Sequence, residues 1–152
     1  MLRAQLSEGL KSAMKARQER AVSTIRLILA ALKDRDIAAR GKGNYDGISD
    51  DEVRQMLQNM IRQRNESIAL YEQGGRLELA QQERDEIQII ESFLPQQLGQ
   101  AEIERAARSV IADVGATCIK DMGKTMAALK QRYAGQMDFS KASTVVKTLL
   151  SA

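Results

Sequence analysis

The sequence is 152 residues long, carries a net charge of +3, and contains no histidine, no tryptophan and a single cysteine, Cys118. This composition excludes an internal disulfide, a zinc site made of cysteine and histidine, and catalysis by a serine or cysteine paired with histidine. We therefore expect no metal, no cofactor and no recognisable catalytic residue, while a mechanism that uses a carboxylate or a lysine stays open. We predict that Cys118 is a small buried apolar side chain, with a thiol of lowered pKa at a helix start as the alternative.

Helix-forming residues dominate the composition. Aromatic residues make up only 3% of the chain, and there is one proline. Ala, Leu, Gln, Glu, Arg and Met are plentiful, and these side chains lose little rotamer freedom in a helix. The sequence therefore predicts an all-α fold.

Neither a membrane span nor a secretory signal is visible in the sequence. No run of about 18 apolar residues is present. The amino-terminal stretch "MLRAQLSEGLKSAMKARQ" mixes acidic, basic and polar residues where a signal peptide has an apolar segment. We expect a cytoplasmic protein that does not interact with a membrane.

Apolar periodicity predicts two helices at the start of the chain, over about residues 2–16 and 21–39. Their apolar faces should pack together. The stretch 41–47 then carries three glycines, which interrupt helical structure before the next element.

A long helical hairpin is predicted next. Ser49 and Glu52 form a capping-box pattern, in which each side chain satisfies a free backbone N–H at a helix start, so a third helix begins there and runs to about Tyr71. The two glycines at 74–75 predict a tight reversal into a fourth helix that ends at Leu94. These two helices should lie antiparallel.

The single proline, Pro95, predicts a domain boundary. It lacks an N–H and disfavours helical geometry at the preceding residue, and the apolar pattern changes after it. We therefore predict an N-terminal helical domain over residues 1–94 and a small C-terminal domain over 95–152. The first contains 15 basic and 15 acidic residues and the second 8 and 5, so the whole net charge of +3 belongs to the second.

Three shorter helices are predicted in the C-terminal domain, over about residues 100–114, 122–133 and 139–150. Asp121 and Asp138 immediately precede the last two helices, where an acidic side chain accepts hydrogen bonds from free backbone N–H groups. We expect each to act as a helix cap.

Two opposite charges fall at the centres of the facing apolar stripes of the hairpin. At about 100° per residue, Arg64 lies within the apolar stripe of the third helix and Glu83 within that of the fourth. An unpaired charge there would cost several kcal/mol. We predict that Arg64 and Glu83 form a structural ion pair, with a functional pair lining a polar groove as the alternative.

The helix predicted over 122–133 carries the candidate nucleic-acid contacts. Lys124 lies nearly opposite the predicted buried stripe, and Lys130 and Arg132 lie on its two flanks. Lys120 precedes the helix, whose free N–H groups attract phosphate. Asp121 opposes such a contact, so a plain capping role for Asp121 stays open. The predicted stripe consists of Met122, Met126, Leu129 and Tyr133.

Three long stretches, together covering nearly the whole chain, follow the pattern of one known family. They are "STIRLILAALKDRDI", "RQMLQNMIRQRNESIALYEQGGRLELAQQERDEIQIIESFLPQQL" and "DMGKTMAALKQRYAGQMDFSKASTVVKTLL". These stretches resemble the YqeY family. Gly99 departs from the pattern, because a serine cap is expected there, but glycine is also tolerated as an N-cap.

The resemblance implies a link to tRNA. The tail is similar to the C-terminal domain of the GatB subunit of glutamine-dependent aminoacyl-tRNA amidotransferase, in which that domain contacts tRNA. By this similarity the family is commonly assigned carbon–nitrogen ligase activity with glutamine as amido-N-donor. The regions of GatB that bind ATP, magnesium and the activated ester have no counterpart in this sequence.

Three functions therefore stay open at this point. The leading hypothesis is a tRNA-associated accessory protein whose tail touches RNA backbone and shape rather than reading sequence. The second is a helical module that binds a partner protein and no RNA. The third is a catalyst, which the residues support least.

Overall fold

The computed structural model describes residues 1–151, and within that range all regular structure is helical. This confirms the predicted all-α fold. One short 3₁₀ turn, Ile119–Asp121, precedes the sixth helix. The helices are α1 (Leu2–Lys15), α2 (Glu19–Gly41), α3 (Asp50–Gln73), α4 (Leu77–Glu91), α5 (Gln100–Val114), α6 (Met122–Arg132) and α7 (Phe139–Ser151).

The chain divides into two compact units, Met1–Pro95 and the part from Gln96 onward. In the first unit α3 and α4 form an antiparallel hairpin, and α2 packs against α1 and α4. Apolar residues three and four apart on each helix place one stripe in a common core. Its fully buried members include Leu6, Ile28, Met56, Leu57 and Ile90.

The turn chemistry predicted for the hairpin is present. Glu52 N donates to Ser49 Oγ at 3.2 Å and Ser49 N donates to Glu52 Oε2 at 2.8 Å, which confirms the capping box. Gly75 has φ +71°, a conformation that side chains disfavour, where the chain reverses after α3. The fourth helix ends at Glu91 instead of the predicted Leu94. It ends early because Leu94 N donates to Glu91 O in a tighter turn just before Pro95.

An ion pair fastens the glycine-rich connection between α2 and α3. Arg3 Nη1 and Nη2 donate to the two carboxylate oxygens of Asp36 at 2.7 and 2.8 Å. Arg3 Nη2 also donates to Ile48 O at 2.8 Å, and Ile48 N donates to Asp36 Oδ1 at 3.0 Å. Gly47 has φ +88°, and a Cβ there would lie 2.8 Å from both Arg3 Nη2 and Asp36 Oδ1. We call this arrangement the Arg3–Asp36 latch.

The second unit is built from α5, α6 and α7, each of which packs against the other two. Its core contains Ile103, Val110, Leu129 and Val146. Leu98 N donates to Gln136 O at 2.8 Å, which ties the segment before α5 to the connection between α6 and α7. No helix within residues 1–151 is both long enough and apolar enough to cross a lipid bilayer.

Candidate nucleic-acid interface

Every charged residue within α6 and α7 is basic. The five side chains are all exposed, and they are Lys124, Lys130, Arg132, Lys141 and Lys147.

The acidic residues of the second unit lie on α5 or in the connections, and three of them bond backbone N–H groups. Glu102 accepts from Gly99 N at 3.0 Å, Asp138 from Ser140 N at 2.9 Å, and Asp121 from Thr117 N at 2.9 Å. The Asp138 bond confirms the predicted cap of α7. Because no acidic residue lies within α6 or α7, the outer surfaces of these two helices keep their positive charge.

The buried face of α6 is rotated from the one predicted. Thr125 and Leu129 are fully buried, whereas Met122, Met126 and Tyr133 are only half-buried. Thr125 tolerates burial because its Oγ1 donates to Asp121 O at 2.9 Å, so its polar group is satisfied.

This rotation changes which residue is outermost on α6. At about 100° per residue the position opposite the buried face is the exposed Ala127. Lys124 and Lys130, three residues before and after it, flank it on either side. Both lysines are exposed, as the sequence predicted for Lys124.

Arg132 is neutralised on one flank of α6. Its Nη1 donates to Asp113 Oδ2 of α5 at 2.6 Å, with both side chains about half exposed. A pair of this kind is worth roughly 0.2–1 kcal/mol and reduces the charge that Arg132 offers to a ligand. Arg132 therefore faces α5 and is the least available of the predicted basic contacts.

Asp121 does not cap α6 with its side chain, contrary to the sequence-based expectation. Its Oδ2 instead accepts from Thr117 N at 2.9 Å and Cys118 N at 3.4 Å, so it organises the turn before the helix. These N–H groups and the nearby Lys124 lower the pKa of Asp121. Lys124 Nζ lies 3.8 Å from Asp121 Oδ1, so its charge is partly compensated.

The other two predicted lysines have no carboxylate close enough to compensate their charge in the described part of the chain. Lys120 and Lys130 are both exposed, and neither forms an ion pair within residues 1–151. At about 100° per residue Lys130 lies on the flank of α6 opposite to Arg132.

Lys147 of α7 is a further exposed basic residue that was not among the predicted contacts. Leu149 lines a cavity of about 390 Å³ with Arg108 and Ile111, so that flank of α7 faces α5. Lys147 lies on the other flank, about 160° from Leu149 at 100° per residue, and is exposed.

A repeated spacing could have revealed the contribution of α7. In α6 the lysines 124 and 130 bracket Ala127, and in α7 the lysines 141 and 147 bracket Thr144. The three positions are spaced by three residues in both helices, and all six are exposed. Each helix therefore presents a small outermost residue with one lysine on each side of it. We call the exposed lysines of α6 and α7, together with Lys120, the basic surface.

The predicted ion pair in the first unit acquires a third member. Arg64 Nε lies 3.8 Å from Glu83 Oε2, but its hydrogen bond goes to Glu86 Oε2 at 3.0 Å. Arg64 Nη1 also donates to Met60 O at 3.3 Å. Burial and the neighbouring Glu86 raise the pKa of Glu83. Glu86 lies one helical turn after Glu83 on the same face of α4, and this spacing was the available signal.

The prediction that Cys118 is buried is wrong, because the thiol is exposed in the connection between α5 and α6. Cys118 lies just before the 3₁₀ turn and not within a helix, so it belongs to no apolar stripe that packs into the core. Within residues 1–151 no group of three or more metal-ligating side chains comes together.

The family model described as "Yqey-like protein" matches residues 3–150. The chain belongs to the YqeY family. The match extends over both units, including the hairpin of α3 and α4 and the two helices, α6 and α7, that carry most of the basic surface.

Several curated proteins are similar to this YqeY family chain. "Altered inheritance of mitochondria protein 41, mitochondrial" from Lachancea thermotolerans is 29% identical over 73% of the chain and 58% of its own length. The protein of the same name from Eremothecium gossypii is 33% identical over 60% of the chain and 48% of its own length. A protein named as uncharacterized from Schizosaccharomyces pombe is 30% identical over 62% of the chain and 73% of its own length. The chain thus spans about half the length of the first two relatives.

Proposed function

We propose that this YqeY family protein is a tRNA-associated accessory protein, and that its second unit contacts RNA through the basic surface. The observation that carries the proposal is the charge pattern of α6 and α7, which hold five basic residues and no acidic one. The similarity of the tail to the tRNA-contacting domain of GatB supports the same role.

The chemistry of the basic surface favours contact with phosphates over reading of bases. Lysine ammonium groups act as compact point charges, and Lys120 and Lys130 keep theirs uncompensated by nearby carboxylates in residues 1–151. Side chains that stack on bases are mostly aromatic, and α6 and α7 contain no exposed aromatic residue. Binding should therefore depend on backbone charge and shape, with little preference among tRNAs.

The proposed role requires no catalytic step from this chain. The carbon–nitrogen ligase activity commonly assigned to the family would need a partner that activates the acyl group. We keep a cytoplasmic location as a prediction, while the names of two relatives place those proteins in mitochondria.

Mobility shift with total tRNA tests the proposal. The wild type should bind at low salt and lose affinity as salt rises, with a slope of roughly 0.7–0.9 per phosphate contact on logarithmic axes. Changing Lys120→Glu, Lys124→Glu and Lys130→Glu together should weaken binding to all tRNAs alike. The helical circular dichroism signal should stay intact, because all three side chains are exposed.

A matched control makes the same change in charge on the first unit. The exposed residues Lys11, Lys15 and Lys42 serve for this, each changed to glutamate. The control should bind tRNA like the wild type. Equal loss in both triple variants would point to net charge alone, and unchanged binding in the folded α6 variant would refute the proposal.

A helical protein-interaction module is the second candidate. Large apolar side chains lie exposed on the first unit, among them Leu27, Ile37, Leu70 and Leu77. Absence of tRNA binding together with capture of a folded partner would favour this function.

A further inference from the structure

The solvent-facing side of α2 carries apolar residues where a fully solvated helix carries polar ones. Leu27 is 51% exposed and Ile37 is 56% exposed, and Ala30 and Ala38 are exposed near them. The core side of the same helix is already occupied by other residues. Its buried residues are Thr24, Ile25, Ile28 and Leu32.

The exposed residues follow the spacing of a helix-pairing seam. Leu27, Ala30, Asp34, Ile37 and Gly41 are separated by three, four, three and four residues. A repeat averaging 3.5 residues keeps a row of side chains facing a partner helix. We call these five positions the α2 seam, which is about 20 Å long at 1.5 Å per residue.

Basic side chains border one edge of the α2 seam. Arg26, Lys33 and Arg40 are spaced seven residues apart and are all exposed. Arg26 and Lys33 form no ion pair within residues 1–151, and Arg40 contributes to lowering the pKa of Asp36. The other edge carries the small residues Ala31 and Ala38. Flanking charges of this kind select the partner in paired helices.

We propose that the α2 seam docks an amphipathic helix of a partner protein whose flanking positions are acidic. Leu27 and Ile37 would supply the apolar contacts, and the small Ala30 would allow close approach. The row of Arg26, Lys33 and Arg40 would pair with the partner's acids. The first 94 residues have no net charge, so this row is a local feature of α2.

A second copy of this chain fits the α2 seam poorly. In an antiparallel pair the basic rows of the two copies would face each other, and like charges repel. In a parallel pair each basic row would face Ala31 and Ala38 of the other copy, which offer no carboxylate.

A lipid surface is also disfavoured. Asp34 lies in the middle of the α2 seam, and the seam has no aromatic residue to anchor it at the headgroups. In a protein complex, by contrast, a single polar residue in a seam fixes the register of the two helices.

A pair of designed peptides tests the proposal. Each has three heptads with leucine in the seam, and the flanking positions are glutamate in one peptide and lysine in the other. Repulsion between like flanks keeps each peptide from pairing with itself. In fluorescence anisotropy the glutamate peptide should bind the full-length protein and the lysine peptide should not. The triple change Arg26→Glu, Lys33→Glu and Arg40→Glu should reverse this preference.

Removal of the apolar contacts provides the second arm. Leu27→Glu with Ile37→Glu should weaken binding of the glutamate peptide by about tenfold or more, because central apolar contacts dominate such interfaces. The matched control is Leu70→Glu with Leu77→Glu, which removes two exposed leucines outside the seam and should leave binding unchanged. Circular dichroism checks that both variants are folded.

Four results would overturn the proposal. They are absence of glutamate-peptide binding, equal binding of both peptides, self-association in sedimentation that Leu27→Glu abolishes, and binding to anionic phosphatidylserine vesicles that Leu27→Glu abolishes. The third result would assign the seam to a second copy and the fourth to a membrane. The RNA proposal concerns residues of the second unit and stands or falls independently.

Discussion

The two units differ in how they use their charged residues. In the first unit basic and acidic residues are equal in number, and four arginines bond a carboxylate of another helix. The pairs are Arg3 with Asp36, Arg20 with Asp85, Arg64 with Glu86 and Arg84 with Glu72. In the second unit three of five carboxylates bond backbone N–H groups and a fourth, Asp113, bonds Arg132 of another helix. The lysines of α6 and α7 are exposed. Ion pairs thus join four pairs of residues on different helices in the first unit and one pair in the second, where the lysines stay available for a ligand.

Proteolysis is the most direct way to separate the two units. A broad-specificity protease at low concentration should cut between Leu94 and Gln97, where the chain leaves α4 and forms no helix. Cleavage further along is disfavoured because Leu98 is held by its bond to Gln136. Mass spectrometry should find a fragment ending near residue 95, and circular dichroism should show it helical. Resistance of this segment under conditions that degrade other connections would contradict separate domains.

The Arg3–Asp36 latch should give the largest change in stability. Asp36→Ala removes the carboxylate that accepts from Arg3 and from the Ile48 N–H and leaves Arg3 only its bond to Ile48 O. We expect the free energy of unfolding to fall by about 2–3 kcal/mol in urea denaturation. Asp34→Ala, an exposed change one half-turn earlier, should cost less than about 0.5 kcal/mol. Equal effects of the two substitutions would show that the latch does not stabilise the fold.

The latch also predicts a pH dependence. The hydrogen bonds from Arg3 lower the pKa of Asp36 to about 2, whereas an unfolded aspartate has a pKa of about 3.9. A lowered pKa stabilises the folded state above the unfolded value and loses that contribution as pH falls through the folded one. The stability difference between wild type and Asp36→Ala should therefore be complete above about pH 4 and shrink toward pH 2.

The two carboxylates around Arg64 should differ in their contribution. Glu86→Ala removes the hydrogen-bonded partner of a largely buried guanidinium, and we expect a loss of about 1.5–3 kcal/mol. Glu83→Gln should cost less than about 1 kcal/mol, because Glu83 lies at 3.8 Å and its burial disfavours the charged form. Urea denaturation of the two variants measures this difference. A larger loss for Glu83→Gln would make Glu83 the principal partner.

Sequence periodicity predicted the helices well because strong local signals mark them. The capping box at Ser49 and the glycines at 74–75 act through neighbouring backbone groups, which sequence patterns describe directly. The Arg3–Asp36 latch joins residues 33 positions apart, and no periodic pattern indicates such a contact.

Side-chain details of the candidate site were harder to predict. The stripe of α6 was assigned by apolar character, and this missed Thr125, whose hydroxyl bonds a carbonyl one turn earlier and can be buried. Glu86 was missed because Glu83 and Glu86 share a face of α4, and side-chain conformation decides which of them reaches Arg64. Asp121 precedes α6 as a cap would, yet its carboxylate bonds the turn before it.

Two single substitutions on α6 give the smallest and most discriminating effect. Lys130→Ala should weaken tRNA binding several-fold and lower the salt slope by about 0.7–0.9, as expected for loss of one phosphate contact. Arg132→Ala should change both quantities less, because Asp113 already compensates the guanidinium. The double variant Asp113→Ala with Arg132→Ala removes both charges and should bind like the wild type. If Arg132→Ala lowers the salt slope as much as Lys130→Ala, Arg132 must leave Asp113 to contact RNA. The RNA-binding surface of α6 would then include the flank that faces α5.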